Sequence, residues 1–225
     1  IKVSAGTPDV RVADCEYNAG EIICMVHEMA EKGAMVMVFP ELCITGYTCG
    51  DLFWQETLLK EAKSQLLRIA AETEDINGTY FCGAAAGIPG KTFIMLSAAL
   101  NRGKIVGFVP KVNIPNYNEF YEGRYFNPGW EKIIDVSWDG YQVPMGMKLL
   151  FSCDNVENLV VGAEICEDVW VLNPPSIAHA SAGATVIVNC SASDEVTGKS
   201  EYRRSLISGQ SARFSVRILR QCGRG

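Results

Sequence analysis

The stretch VVGAEICEDVWVLNPP (Val160–Pro175) decides the fold. It begins as an unbroken apolar run, which suits a strand covered on both faces. It ends in Cys166, set among Glu164, Glu167 and Asp168, with Trp170 and the pair Pro174-Pro175 just beyond. A thiol is buried at little cost, but carboxylates at the end of a buried run need a partner or a task. The pattern recurs along the chain. AMVMVFP (Ala34–Pro40) leads into Glu41, KIVGFVP (Lys104–Pro110) into Lys111, and ATVIVN (Ala184–Asn189) into Cys190, Ser191 and Ser193. In α/β proteins ligands gather at the carboxyl ends of buried strands. If these strands are neighbours, a carboxylate, an ammonium and a thiol share one pocket.

Between these runs the sequence alternates. Ile1–Ala5 reads as a short strand, and helical periodicity covers Asp14–Lys32, stopped by Gly33, and Gln55–Thr73, where Leu58, Leu59, Leu66, Leu67 and Ile69 share a side. Segments near Ser176–Ala182 and over Lys199–Ser215 also read as helices. The middle of the chain is rich in β-like runs, and Asn101-Arg102-Gly103 marks a hairpin between two of them. No repeat, low-complexity tract or linker divides the sequence, so residues 1–225 are expected to form one α/β unit.

Composition narrows the function. The chain is 48% hydrophobic and 20% charged, with a formal net charge of −6 and no basic block, which argues against a nucleic-acid partner. No run of apolar residues is long enough to span a membrane, and the N-terminus lacks a signal-peptide pattern, so a cytoplasmic location is expected. The nine cysteines are scattered without a C-x-x-C pair, which disfavours a disulfide framework or a metal site. Only two histidines are present, His27 and His179, and both lie in helical patterns.

With histidine scarce, a buried carboxylate can serve as the base for a thiol. Glu41, between Pro40 and Leu42, is the candidate base; Lys111 can face an oxyanion, together with the backbone N–H of Glu167 after the thiol. The product is acyl transfer through a thioester, on an amide or nitrile. AAGIPGKT (Ala85–Thr92) imitates a phosphate loop, but its first glycine is missing and a β-rich run follows it instead of a helix. Pro89-Gly90-Lys91 is therefore read as a turn between strands.

Glu41, Lys111 and Cys166, in this order and context, resemble the Glu–Lys–Cys triad of the nitrilase superfamily of carbon–nitrogen hydrolases. Within it the similarity is greatest to the glutaminase domain of glutamine-dependent NAD synthetases. The stretches that carry it are FPELCITGYTCGDLF (Phe39–Phe53), PKVNIPNYNEFYEGRYF (Pro110–Phe126), GAEICEDVW (Gly162–Trp170), and NCSAS, GKSEYRR and GQSAR within Asn189–Arg213. The resemblance implies a four-layer α-β-β-α sandwich with Cys166 as nucleophile, Glu41 as general base and Lys111 as oxyanion stabiliser. It places Tyr117, Glu167, Ser193 and Lys199 around substrate L-glutamine and makes Glu122 a support for Lys111. Asp51 is expected to shape its own loop. No metal or cofactor is implied for this unit; ATP and magnesium belong to a synthetase domain absent from this sequence, which has no S-G-G-x-D-S loop. A C-terminal synthetase domain and homo-oligomers are the implied partners.

The family's domain continues past the position of Arg213 with further strands. The chain is therefore expected to be a truncated piece whose sandwich is incomplete at the C-terminus. Its basic end, with Arg213, Arg217, Arg220 and Arg224, shows no pattern that places it in the fold. Two alternatives stay open at this point: a nitrilase-type amidase acting on another amide, and an inactive module that serves only assembly.

Overall fold

The computed structural model describes residues 1–87 and 93–222. Strand β1 (Lys2–Ala5) precedes helix α1 (Cys15–Glu31), which Asp14 caps by accepting a hydrogen bond from the Tyr17 N–H. Gly33, at φ +81°, ends that helix in the left-handed conformation glycine tolerates and turns the chain into β2 (Ala34–Val38). Helix α2 (Glu56–Ala71) returns to an antiparallel run of β3 (Thr79–Gly87), β4 (Phe93–Asn101) and β5 (Lys104–Pro110). Strands β6 (Ile134–Trp138), β7 (Tyr141–Met145) and β8 (Leu150–Ser152) follow. Then come β9 (Val160–Ile165), α3 (Pro175–Ser181), β10 (Val186–Ser191), α4 (Lys199–Phe214) and β11 (Arg217–Cys222).

Two sheets result, one ordered β1-β2-β3-β4-β5-β7-β6 and the other β11-β10-β9-β8. Alternation along the strands sorts the side chains into layers. Val36, Val38, Phe81, Ala99 and Val109 of the first sheet meet Val161, Ala163, Val186 and Val188 of the second in a shared inner core. Met37 and Tyr80 face the opposite way, against Ile22, Val26, Leu66 and Ile69 of α1 and α2. On the outside of the second sheet, Ile187 and Val216 pack with Ala180 and Phe214. This is the expected α-β-β-α sandwich.

The basic end of the chain is not patternless. After Ser215, a left-handed cap to α4, Val216 is buried and Arg217–Cys222 pair with β10 in parallel register, Val186 opposite Arg217 and Asn189 opposite Arg220. The arginines hid a strand because an edge strand tolerates charge. The turn expected at Pro89-Gly90-Lys91 lies outside the described residues; Gly87 and Phe93 on either side of it are antiparallel partners, so no helix begins at Phe93.

Candidate active site

Glu41 follows β2 and is buried, although it carries a charge. The loop that bears it lies directly on β3: a Cβ on Gly83 would stand 2.3 Å from the Glu41 Cα and 2.4 Å from the Pro40 carbonyl oxygen. Only glycine permits that approach. The Glu41 carboxylate accepts the Ala192 N–H at 2.8 Å, which ties the first sheet to the end of β10, and accepts from Lys111 Nζ at 2.9 Å.

Lys111 follows β5 directly and has no solvent exposure. Its ammonium also meets both oxygens of Glu122 at 2.8 Å, and Tyr47 donates to Glu122 at 2.7 Å. Burial alone would lower the lysine's pKa; Glu41, Cys166 and Glu122 more than reverse this and keep it charged. For Glu122 burial is the larger influence and raises the carboxyl, against the pull of Lys111. Removing the ammonium would leave two buried carboxylates without their cation, so this trio is bound together energetically as well as in space. Asp51 does more than shape its own loop: its carboxylate accepts from Arg124 Nε and Nη2 at 2.9 and 3.1 Å and from Tyr125 at 3.0 Å, anchoring the turn that begins with Glu122.

Cys166 opens a tight 3-10 turn, Cys166–Val169, at φ +43°. A non-glycine residue there is strained, and such strain concentrates where a side chain must be presented at an angle the chain would not otherwise take. Asp168 holds the turn. Its carboxylate accepts the Ile165 N–H at 3.0 Å and both the backbone N–H and side-chain amide of Asn113, at 2.9 and 2.8 Å. The Cys166 turn is thereby fastened to the segment that follows Lys111. Glu164, two residues before Cys166, points away from this pocket and accepts from Ser176 N–H at 3.2 Å and Asn189 Nδ2 at 3.3 Å. The carboxylates around the thiol thus divide into two braces, Glu164 and Asp168, and one exposed to the pocket, Glu167.

Ser191 donates to Cys166 Sγ at 3.2 Å, and the Ser193 hydroxyl lies 3.4 Å from it. Burial and then the charge of Glu41 push the thiol up to about 12, while Lys111 opposes them. Tyr117 donates to the two Glu167 oxygens at 2.9 and 3.0 Å. Lys199, the first residue of α4, forms its ion pair with Asp194, and its ammonium lies 5.7 Å from the centroid of the Phe120 ring, which meets Tyr117 edge to face. The structure therefore brings Glu41, Lys111, Cys166, Glu122, Ser193, Tyr117 and Glu167 together, and Lys199 stands at their margin. Sequence reading gave Asp168 no bracing role, named Ser191 only as a residue at a strand end, and did not place Arg220, whose Nη2 lies 2.6 Å from Ser191 Oγ and 2.7 Å from Ser193 Oγ. Among the described residues no group of three His, Cys, Asp or Glu side chains could hold a metal ion.

Two stacked sheets with a buried Glu–Lys–Cys set at their strand ends describe an amide-cleaving class of protein, and comparison agrees: the carbon-nitrogen hydrolase family model matches residues 2–213, and the chain belongs to that family. Among named relatives, the glutamine-dependent NAD(+) synthetase of Mycobacterium tuberculosis is 35% identical over 213 residues, 95% of this chain. That of Thermotoga maritima is 28% identical over 217 residues. A crystal structure of the Cytophaga hutchinsonii glutamine-dependent NAD(+) synthetase superposes with a TM-score of 0.88 at 28% identity, covering 100% of this chain and 36% of that one. An amidase from Nesterenkonia sp. shares the fold, at a TM-score of 0.75, 18% identity and coverage of 99% of this chain and 76% of that one. The chain spans 31% of the length of the mycobacterial relative and 34% of the Thermotoga one. Among the described residues no helix is long and apolar enough to cross a membrane.

Proposed function

We propose that the chain hydrolyses the side-chain amide of L-glutamine through a thioester on Cys166 and supplies ammonia to a synthetase domain that makes NAD with ATP and magnesium. The observation that carries this reading is the convergence of Glu41, Lys111 and Cys166 beside the Tyr117–Glu167 pair, in a chain similar to glutamine-dependent NAD(+) synthetases over 95% of its length. Glu41 takes the thiol proton as Sγ attacks the amide carbon. The oxyanion that forms is met by the Lys111 ammonium and the backbone N–H of Glu167. Glu41 then returns the proton to the leaving nitrogen, ammonia departs, and a thioester remains. Water, deprotonated by Glu41, attacks the thioester; Cys166 leaves and takes back the proton as a thiol, and glutamate is released. The Glu167 carboxylate, steadied by Tyr117, offers a partner for the substrate α-ammonium, and Ser193 and Lys199 offer partners for its carboxylate. Glu122 keeps Lys111 charged and aimed.

Residues 1–225 act in this reading as one glutaminase unit of a cytoplasmic, homo-oligomeric enzyme. The test is labelling by 6-diazo-5-oxo-L-norleucine, mapped by mass spectrometry. The expected result is a single adduct on Cys166, absent in Cys166→Ala and slowed about 100-fold in Glu41→Gln. No adduct in a chain shown to be folded, or adducts spread over several thiols, would overturn the reading. Equal turnover of propionamide and glutamine would remove the amino-acid recognition assigned to Glu167 and Tyr117.

A further inference from the structure

Arg220 is the group at the site that the triad does not use. It stands on β11 opposite Asn189 and leans forward to the end of β10. Its Nη2 donates to the hydroxyl oxygens of Ser191 and Ser193 at 2.6 and 2.7 Å, and its guanidinium lies 5.8 Å from the Trp170 ring centroid. A guanidinium has donors only, so both hydroxyls must accept from it and send their own protons elsewhere. Ser191 Oγ is 3.2 Å and Ser193 Oγ 3.4 Å from Cys166 Sγ, and the two hydroxyls are 3.2 Å apart. The direction of the chain is therefore set at one end: arginine to hydroxyl, hydroxyl to sulfur.

The charge around the thiol gives this chain a purpose. From the first sheet Glu41, Lys111 and Glu122 face it, and the one ammonium is shared between the two carboxylates. Its own turn adds Glu167 and the buried Asp168, whereas Glu164 of β9, also buried, points away towards Ser176 and Asn189. Tyr47 and Tyr117 contribute phenols to the same surroundings, while Asp194 and Lys199 pair with one another. A thiolate formed here joins an excess of carboxylates, and Arg220 is one hydroxyl away from it.

We propose that Arg220 is a positioning residue for the nucleophile: through Ser191 and Ser193 it directs hydroxyl donors onto Sγ, so that the thiolate is stabilised from the second sheet while Glu41 and Lys111 act from the first. The inference rests on Cys166 being the nucleophile. Its test is the rate of Cys166 alkylation by iodoacetamide across a pH series, followed by peptide mapping, in the full chain and in Arg220→Gln, Arg220→Lys and Ser191→Ala. The midpoint of the pH profile is expected to rise by about one unit in Arg220→Gln, a tenfold loss of labelling below the midpoint. Arg220→Lys, which keeps the charge but not the fork, should recover part of it, and Ser191→Ala should shift the midpoint in the same direction as Arg220→Gln. Alkylation of folded Arg220→Gln with the original midpoint overturns the inference alone. If that variant does not fold, an unshifted midpoint in Ser191→Ala overturns it instead. No alkylation of Cys166 in any protein overturns the nucleophile reading and this inference with it.

Discussion

The two outer faces of the sandwich are held in different ways. On the first sheet α1 and α2 bury an apolar stripe: Ile22, Ile23, Val26 and Met29 from one helix, Leu58, Leu59, Leu66 and Ile69 from the other. On the second sheet α4 buries none of its residues fully, because KSEYRRSLISGQSARF has polar groups all round. It is attached by polar and aromatic links: Gln210 Nε2 to the Val169 carbonyl at 2.8 Å, Ser211 to the Val216 carbonyl at 2.5 Å, and Tyr202 against Trp170. The chemistry divides along the same line. The first sheet supplies Glu41 and Lys111, locked in a buried charge network, while the second supplies the thiol on a strained turn held by hydrogen bonds. Glu41 and Lys111 are thus fixed by the same forces that hold the fold, and the Cys166 turn is held by hydrogen bonds, from Asn113 to Asp168 and from Ser191 to the sulfur.

The hardest blow to the first half is Lys111→Met. It should cost about 3–5 kcal/mol, since Glu41 and Glu122 are left buried without their cation. Urea unfolding would measure that loss, and diazo-oxo-norleucine labelling of Cys166 should disappear with it. Stability near that of the wild type would mean that the carboxylates are neutralised some other way and that the network is less tightly coupled than its geometry implies. The helices offer a direct contrast. Leu66→Ala in α2 removes a fully buried side chain and should cost about 2–5 kcal/mol, whereas Leu206→Ala in α4, half-buried, should cost less than about 1 kcal/mol. Equal losses in denaturant unfolding would abolish the distinction between the two faces.

The legible parts of the sequence are those in which one physical signal dominates. β2, β5, β9 and β10 are predominantly apolar runs, so the residues at their ends, Glu41, Lys111, Cys166 and the Ser191–Ser193 stretch, stand out without knowledge of the fold. Short strands such as β8 and the edge hairpin of β6 and β7 mix polar and apolar residues and have no comparable signature. β11 was concealed by its arginines, although VRIL following a helix is the pattern of a crossover returning to a parallel sheet. Arg220 could not be placed at the thiol without the β10–β11 register, and Asp168 could not be seen to brace the turn without the fold that brings Asn113 beside it. Contacts between residues far apart in the chain are what periodicity cannot carry.

Glu164 separates the braces from the reacting groups. Burial, and then Asp168, raise its carboxyl from its ordinary 4.5 to about 7. Between those values the unfolded chain gives up the proton and the folded one keeps it. Stability is fully present below 4.5 and declines as pH rises towards 7, by an amount on the order of 3 kcal/mol. Glu164→Gln should remove that contribution and leave the one from Glu122, whose carboxyl burial also raises. Asn189 Oδ1, buried without a partner, can accept from the new amide if the Asn189 side chain turns over. The variant should match the wild type in urea unfolding at about pH 5 and exceed it at about pH 8. A wild-type slope retained in the variant would move the titration to another carboxyl, Glu122 first.

The smallest effect expected is also the one that crosses between the halves. Tyr117 is 50% exposed, yet from the segment after β5 it reaches the Glu167 carboxylate on the Cys166 turn. Tyr117→Phe removes that hydrogen bond and leaves the buried triad untouched. Glu167 then has to be ordered by the substrate itself, which weakens binding more than the chemical step. KM for glutamine should rise about threefold to tenfold with kcat little changed. A fall in kcat at constant KM would instead show that the phenol fixes the turn on which Cys166 stands, and the nucleophile would then depend on the first sheet as much as on its own.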